Sequence, residues 1–331
     1  MLNPQRNKPC RPHRKLWMAL AVALGAAACG GAATPAVERE TLRLGFTYSM
    51  FTGVNENDAK ASIKALAATV SRERNIPADP DPLLFNGTEA VAAAVRTGAV
   101  DAVGMTTDEY AALAGDVRFD RFLMAVKDDD PTEEYVVLVH RAAGVTDMAG
   151  LKDKRLSVFV NPRTCLGPIW LEVLLARAGL PVTAEHFGRV TEWTKLSKPV
   201  LEVFFRQADA CLVTRRGFAT MVELNPQVGA QLAVLAASPA VVPSLFAFRA
   251  DFSPSLKDRS LREFGVVHTS LAGQQALTIF QVGQVAERPV AALDSALALL
   301  ADYARLRPEA SAARVVNLRH RTSISSLAAK P

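Results

Sequence analysis

Short apolar runs alternate with amphipathic stretches along most of this chain, and that alternation sets its architecture. Residues 41–46 (TLRLGF) have the run length and composition of a buried strand, and a polar loop, 48–58, follows. Over 59–72, Ile63, Leu66, Ala67 and Val70 recur at helical spacing. Residues 82–85 form a short strand stopped by Asn86-Gly87, and Thr88 can cap a helix running to 96. A third strand, 100–105, ends in Thr106-Thr107-Asp108, with Asp108 placed to cap the helix carrying Tyr110 and Leu113. Strands alternating with helices imply parallel βαβ units.

The same grammar restarts after 134–141 (EYVVLVHR), a strand leaving the first unit. Residues 154–160 are a strand, 161–164 a loop, and 166–178 a helix closed by Gly179. A weak strand at 187–191, a helix at 198–206, a strand at 209–213 and a helix from Thr214 to about Leu224 follow. Residues 245–250 (LFAFRA) read as a second crossing strand, expected to pair with 134–141. Helices at 256–264, 271–282 and 289–306 complete the chain. The tail after Leu306, with Arg314, Arg319, His320 and Arg321, reads as frayed and solvated.

The opening segment has a different character. Arg6, Lys8, Arg11, Arg14 and Lys15 precede an uncharged apolar run, 16–28, that ends in Ala26-Ala27-Ala28 before Cys29. A cationic start, a short apolar run and a small-residue end are the parts of a secretory signal peptide. The run, 13 residues, is well short of the roughly 20 that a membrane-spanning helix needs. Cys29 after the alanines resembles a bacterial lipoprotein cleavage site, where the thiol takes the lipid. Ala26 stands where that pattern usually has Leu, and Ala26 with Ala28 also suits ordinary signal peptidase. The expected division is a signal peptide at 1–28, a linker at 29–40, a first lobe of 41–137 plus 247–310, a second lobe of 138–246 and a C-terminal tail at 311–331.

Charge follows the same cut. The chain holds 38 Lys and Arg against 33 Asp and Glu, and the five cations named above, with no acidic residue among them, account for the whole excess. Residues 29–331 therefore balance, and a nucleic-acid reading, which needs a clustered basic surface, loses its main support; no nucleic-acid partner is expected.

Taken in order, several segments resemble the substrate-binding proteins of ABC importers, and among them the phosphate/phosphite/phosphonate-binding family. They are Leu42 to Phe46 (LRLGF), Val100 to Val103 (VDAV) with its polar loop, 148–157 (MAGLKDKRLS), 204–214 (FFRQADACLVT) and 268–275 (HTSLAGQQ). The resemblance implies an α/β, two-lobed type II periplasmic binding fold, each lobe a mainly parallel sheet flanked by helices, with two crossing strands joining the lobes. It implies a monomer in the periplasm that captures a small anion, a phosphonate- or phosphate-like oxyanion or a related organic anion, and hands it to an ABC permease in the inner membrane. Lipidated Cys29 would then be its membrane attachment. A ligand sensor for a membrane receptor kinase, or a carrier of sulfonates or other organic ligands, are the alternatives within the same fold.

Ligands of open α/β sheets sit beyond the carboxyl ends of strands, where helix N-termini and short hydroxyl side chains converge on an anion. Hydroxyls or cations stand at five such positions: Tyr48 and Ser49, Thr106 and Thr107, Arg163 and Thr164, Thr194 and Lys195, and Thr214 and Arg215. Each Thr can equally be only a helix cap. The loop 161–168 (NPRTCLGP) carries one Thr where the family commonly has several Ser or Thr, and adds Arg163, either a bidentate clamp for a carboxylate, sulfonate or phosphonate or a solvated loop residue. Trp193 and Tyr48 can frame an organic portion.

No cofactor or metal is expected, and no P-loop, H-E-x-x-H or G-x-S-x-G pattern occurs. An enzyme reading would rest on Cys165 at a helix start, with His186 as the nearest candidate base, and lacks a supporting spacing. Cys165 and Cys211 can form one disulfide in an oxidising compartment if the fold brings them together.

Overall fold

The computed structural model describes residues 41–51 and 53–320. The expected signal peptide, linker and Cys29 lie outside the described residues, as does the tail from 321 onward.

The first lobe opens with β1 (Leu44–Thr47), α1 (Glu56–Arg74), β2 (Leu83–Phe85), α2 (Thr88–Arg96), β3 (Ala102–Thr106), α3 (Thr107–Leu113) and β4 (Phe119–Val126). All four residues of β1 and all five of β3 are buried. This is the pattern of central strands covered by helices on both faces. Asn55 caps α1 by accepting the Asp58 N–H, and Asn75 ends it in the left-handed conformation.

The chain then crosses to β5 (Tyr135–His140), β6 (Arg155–Phe159), α4 (Gly167–Arg177), α5 (Thr183–His186), β7 (Arg189–Trp193), α6 (Ser197–Phe204), β8 (Ala210–Thr214), α7 (Arg215–Leu224), α8 (Pro226–Gln231) and β9 (Leu232–Ala237). It returns through β10 (Ser244–Arg249), α9 (Pro254–Gly265), α10 (Leu271–Ile279), β11 (Gln284–Arg288), α11 (Asp294–Leu306) and α12 (Pro308–Arg319).

The sheet orders are β2-β1-β3-β10-β4-β11 and β7-β6-β8-β5-β9. Each begins with three parallel strands whose middle member is first in sequence, and each continues with antiparallel partners. The two lobes are thus variants of one plan, with helices packed on both sheet faces.

The connection between lobes differs from the expected pair of crossing strands. Residues 134–141 and 245–250 do not pair with each other. β5 lies between β8 and β9 in the second sheet, and β10 lies between β3 and β4 in the first. Both strands are central, so neither has a free edge for the other. The lobes are joined instead by the short segments 127–134 and 238–243, which meet in an antiparallel bridge between Glu133 and Val241. Their backbone bonds run both ways at 2.8 and 2.9 Å.

A third connection comes from the C-terminal helices. Ala296, Leu299 and Tyr303 of α11 are buried in the core that α4 builds on the second sheet, although 247–310 was expected to belong wholly to the first lobe. α12 then lies against α2 and α3 of the first lobe. Residues 308–319 are therefore helical where fraying was expected, while none of them is buried.

Candidate functional site

The carboxyl ends of β1, β3, β6, β7 and β8 all turn toward the junction of the lobes, as the expected site requires. What the side chains do there is another matter. On the first lobe, the Thr47 and Ser49 hydroxyls do not face outward. Both donate to the carboxylate of Glu109, Thr47 at 2.7 Å and Ser49 at 2.5 Å. The Thr106 N–H and hydroxyl reach the same carboxylate at 3.0 and 2.8 Å. Three hydroxyls and one backbone N–H thus surround an acidic group that belongs to the chain itself. Glu109 is 1% exposed. Its burial, reinforced by the neighbouring Asp108, raises its pKa, while the bonds from Ser49, Thr47 and Thr106 oppose the rise.

Glu109 is there because Thr106, not Asp108, is the cap of α3. Thr106 and Glu109 form a reciprocal capping box. The signature was legible as Thr106-x-x-Glu109. Asp108 instead pairs with Arg314 of α12 at 2.6 Å. Thr107 ties β3 to the crossing segment, its hydroxyl donating to Val242 O at 2.7 Å. The Tyr48 hydroxyl donates to Val54 O at 2.9 Å and closes its own loop.

The second lobe supplies the cations. Arg163 follows β6 in a one-turn helix capped by Asn161. Its Nε donates to Glu133 Oε1 at 2.6 Å, and Nη2 pairs with that same oxygen. Glu133 is 2% exposed, and its other oxygen, Oε2, has no partner among the described residues. The Arg163 backbone carbonyl accepts the Tyr135 hydroxyl at 3.1 Å, which fixes the loop to the start of β5.

Arg215 makes a two-pronged pair with Glu134 at 2.5 and 2.8 Å, and Arg216 pairs with Asp130 at 2.6 Å. The hydrogen bonds that Arg215 donates to Glu134 raise its pKa. Thr164 is held by its own loop, 2.9 Å from both Phe159 O and Asn161 O. Thr214 accepts the Gly217 N–H at 3.0 Å as the cap of α7. Thr194 and Lys195 are exposed at the rim. The Trp193 indole donates to Glu202 and carries Lys198 over its face, so it is held within its own lobe.

The lobes meet across this junction. Asn161 Nδ2 of the second lobe donates to Gln281 Oε1 of the first at 2.7 Å. A Cβ on Gly53 would stand 3.6 Å from Thr194 Cγ2, so the rims touch there too. Between them is a narrow gap of about 10 Å³, walled by Met50, Ala125, Phe280 and Val282 on one side and Pro162 and Arg163 on the other. Of the ten residues expected at the site, Arg163 alone lines this gap. Met50 and Phe280, which line it, and Gln281, which bonds across the lobes beside it, were not expected there. They are brought to it by the loops after β1 and after α10, and no local pattern marks them.

Both cysteines in the described residues are free thiols. Cys211 packs in the core on one face of the second sheet and Cys165 against the core on the other face. The sheet lies between them, so in this structure the fold does not bring the two together for the possible bridge. Burial, with Asp108 adding, pushes the Cys165 thiol well above its ordinary value, and His186 is fully buried with Nε2 on Met148 O at 2.9 Å. Neither has the character of a nucleophile or its base. Among the described residues no group of acidic, His or Cys side chains is arranged to hold a metal, and no helix is long and apolar enough to cross a membrane.

The model of the family described as "ABC transporter, phosphonate, periplasmic substrate-binding protein" matches residues 48–287. Among solved structures, the chain is similar to the binding protein component of an ABC phosphonate transporter from Pseudomonas aeruginosa. The TM-score is 0.51 at 14% identity, over 84% of this chain and 94% of that one. It is similar to a Xanthomonas citri protein bound to ATP, at TM-score 0.56 and 16% identity over 81% and 98%. A Prochlorococcus marinus protein in complex with methylphosphonate matches at TM-score 0.53 and 15% identity over 78% and 96%. At these identities the likeness is one of fold. No curated protein matches.

Proposed function

The chain belongs to the periplasmic substrate-binding proteins of phosphonate-type ABC transporters, and we propose that its cargo is a small organic anion gripped by Arg163, not inorganic phosphate. The family's members bind a solute outside the inner membrane and deliver it to a permease; they are transport proteins, and we read this chain as having no enzymatic activity.

The observation that carries the cargo reading is the pairing at Glu109. A free oxyanion would need the hydroxyls of Thr47, Ser49 and Thr106, and a carboxylate of the chain already takes them. An inorganic phosphate placed there would face that carboxylate without the neutral donors it needs. The second lobe offers a different grip. Nε and Nη2 of Arg163 converge on one oxygen of Glu133, while Nη1 has no partner among the described residues and the residue lines the inter-lobe gap. A planar guanidinium with a spare donor edge suits a carboxylate, sulfonate or phosphonate head.

Thermal-shift screening of phosphate, phosphonates, sulfonates and carboxylates, followed by calorimetry, tests this. A ligand binding only the native state raises the midpoint by mass action. Arg163→Ala should cost about 1.5–3 kcal/mol of binding, about ten- to hundredfold. Unchanged affinity in Arg163→Ala, or stronger binding of phosphate than of every organic anion, would overturn the reading.

The periplasmic protein is also read as a lipoprotein cleaved before Cys29, on its cationic start and its Ala26-Ala27-Ala28 junction, and the several acyl chains of that route would anchor it stably where one would not. Intact mass of the membrane fraction should show the lipid; a soluble product with a free Cys29 thiol would remove the anchor and leave export standing.

A further inference from the structure

The first lobe contains a cavity of about 80 Å³ behind the inter-lobe gap. Its wall is carbon almost throughout, with Phe46, Leu66, Leu123, Phe246, Phe264 and Leu277 at its depth. Met50, Ala125, Ser244, Phe280 and Val282 line both this cavity and the gap that Arg163 lines. The two spaces share a wall, with the guanidinium at one end and an aromatic chamber at the other.

The chamber is built rather than left over. Gly104 on β3 has no side chain because a Cβ there would stand 2.5 and 2.7 Å from the Phe46 ring. That absence lets Phe46 lie along the sheet, stacked on Phe280 at 5.1 Å and tilted against Phe246 at 5.6 Å. The Phe280 segment separates chamber from cleft. The residue after it, Gln281, has a left-handed backbone (φ 55°) and is fastened to Asn161 across the lobes. The chamber's apolar wall offers water few partners and accepts apolar guests.

We propose that this chamber is a subsite for the apolar tail of the ligand, so that the protein selects short-chain alkyl or aryl anions over the parent one-carbon anions. The proposal rests on Arg163 holding the head. On the volume of liquid water, about 30 Å³ a molecule, 80 Å³ holds roughly two to four carbons. The tail enters past Met50 and Phe280, whose side chains form the throat.

Calorimetry with methyl-, ethyl-, propyl-, butyl- and phenylphosphonate, and with the matching sulfonates and carboxylates, tests it on the mature protein. Affinity should rise about fourfold per added methylene, the conversion of about 0.8 kcal/mol for each buried CH₂, and then level off as the chamber fills. Leu277→Phe, which narrows the far end of the chamber, should cancel the gain for butyl and phenyl while methylphosphonate binds as before; its own thermal midpoint reports whether it folds. The wild-type series decides the matter even if that variant does not fold. A flat series in which Arg163→Ala still abolishes binding would overturn the tail subsite and leave the head grip. A rising series that Leu277→Phe cancels but Arg163→Ala leaves intact would keep the subsite and overturn the grip. Failure of every anion in the set to bind would count against both.

Discussion

Removing the Glu109 carboxylate should uncover the anion cradle that the first lobe has filled for itself. In Glu109→Ala, the Thr106 N–H loses its partner in a buried place, an unsatisfied donor that costs about 1–3 kcal/mol. The capping box of α3 goes with it, about 1 kcal/mol more. The three hydroxyls can rotate toward one another, and relief of the repulsion with Asp108 offsets part of the loss. The net expectation is about 2–4 kcal/mol, or roughly 4–8 °C in thermal midpoint for a chain of this size. Glu109→Gln keeps an oxygen for Thr47 and Thr106 and gives Ser49 an amide to accept from, so it should stay within about 1 kcal/mol at neutral pH.

The pH dependence has a definite sign. Burial and Asp108 raise the folded carboxyl above its ordinary value of 4.5. The folded chain therefore holds this proton to higher pH than the unfolded chain, and Glu109 withdraws stability as pH climbs from about 4.5 through the raised value. Glu109→Gln lacks that slope, so its midpoint relative to wild type should improve across that window and then level. Formate or acetate should restore part of the midpoint of Glu109→Ala, by entering the vacated place between Thr47, Ser49 and Thr106, and should not affect wild type. The assay is thermal unfolding across pH with and without formate. Equal midpoints for the Ala and Gln variants, together with no pH trend in their difference from wild type, would refute the reasoning.

Arg215→Ala should leave ligand affinity unchanged and cost under about 1 kcal/mol of stability, because its pair with Glu134 is solvent-exposed; calorimetry and thermal melting check both. Gly104→Ala should destabilise by about 1–3 kcal/mol in denaturant titration, since its Cβ would strike the Phe46 ring. In the native protein Cys165 and Cys211 should react slowly with a thiol reagent at pH 8, burial having raised both pKa values, and both should react after unfolding without reductant; a missing thiol would mean a bridge. Small-angle scattering should show a smaller radius on saturation with the best organic anion, as the lobes close about the segments 127–134 and 238–243; an unchanged radius would argue against closure.

Much of the fold was legible because each lobe repeats one local grammar. The strands of both parallel triplets, apart from the polar β7 (RVTEW), are apolar-rich runs bounded by turn residues, and both triplets take the 2-1-3 order. The antiparallel strands were harder. β4 mixes Asp120 and Arg121 into its first half, β9 is rich in Ala, and β11 (QVAER) is short and polar. Their strand character comes from the neighbours they pair with, which a local window does not contain.

The site was legible only as a place. Hydroxyls and cations were expected at five strand ends, and those ends do converge, but whether a hydroxyl there is free depends on what the next turn of helix brings back to it. Glu109 lies three residues beyond Thr106, and the capping box that closes α3 is what turns its carboxylate into the cradle. The partners of Arg163, Arg215 and Arg216 lie 30, 81 and 86 residues away in sequence. Residues 29–331 balance in sign, and at the cleft Arg163, Arg215 and Arg216 are each paired with an acid of the crossing segment, which weakens any field that would draw every anion in. Selectivity then has to come from shape and from the spare guanidinium edge that Arg163 presents to the gap, and that favours an anion with an apolar body.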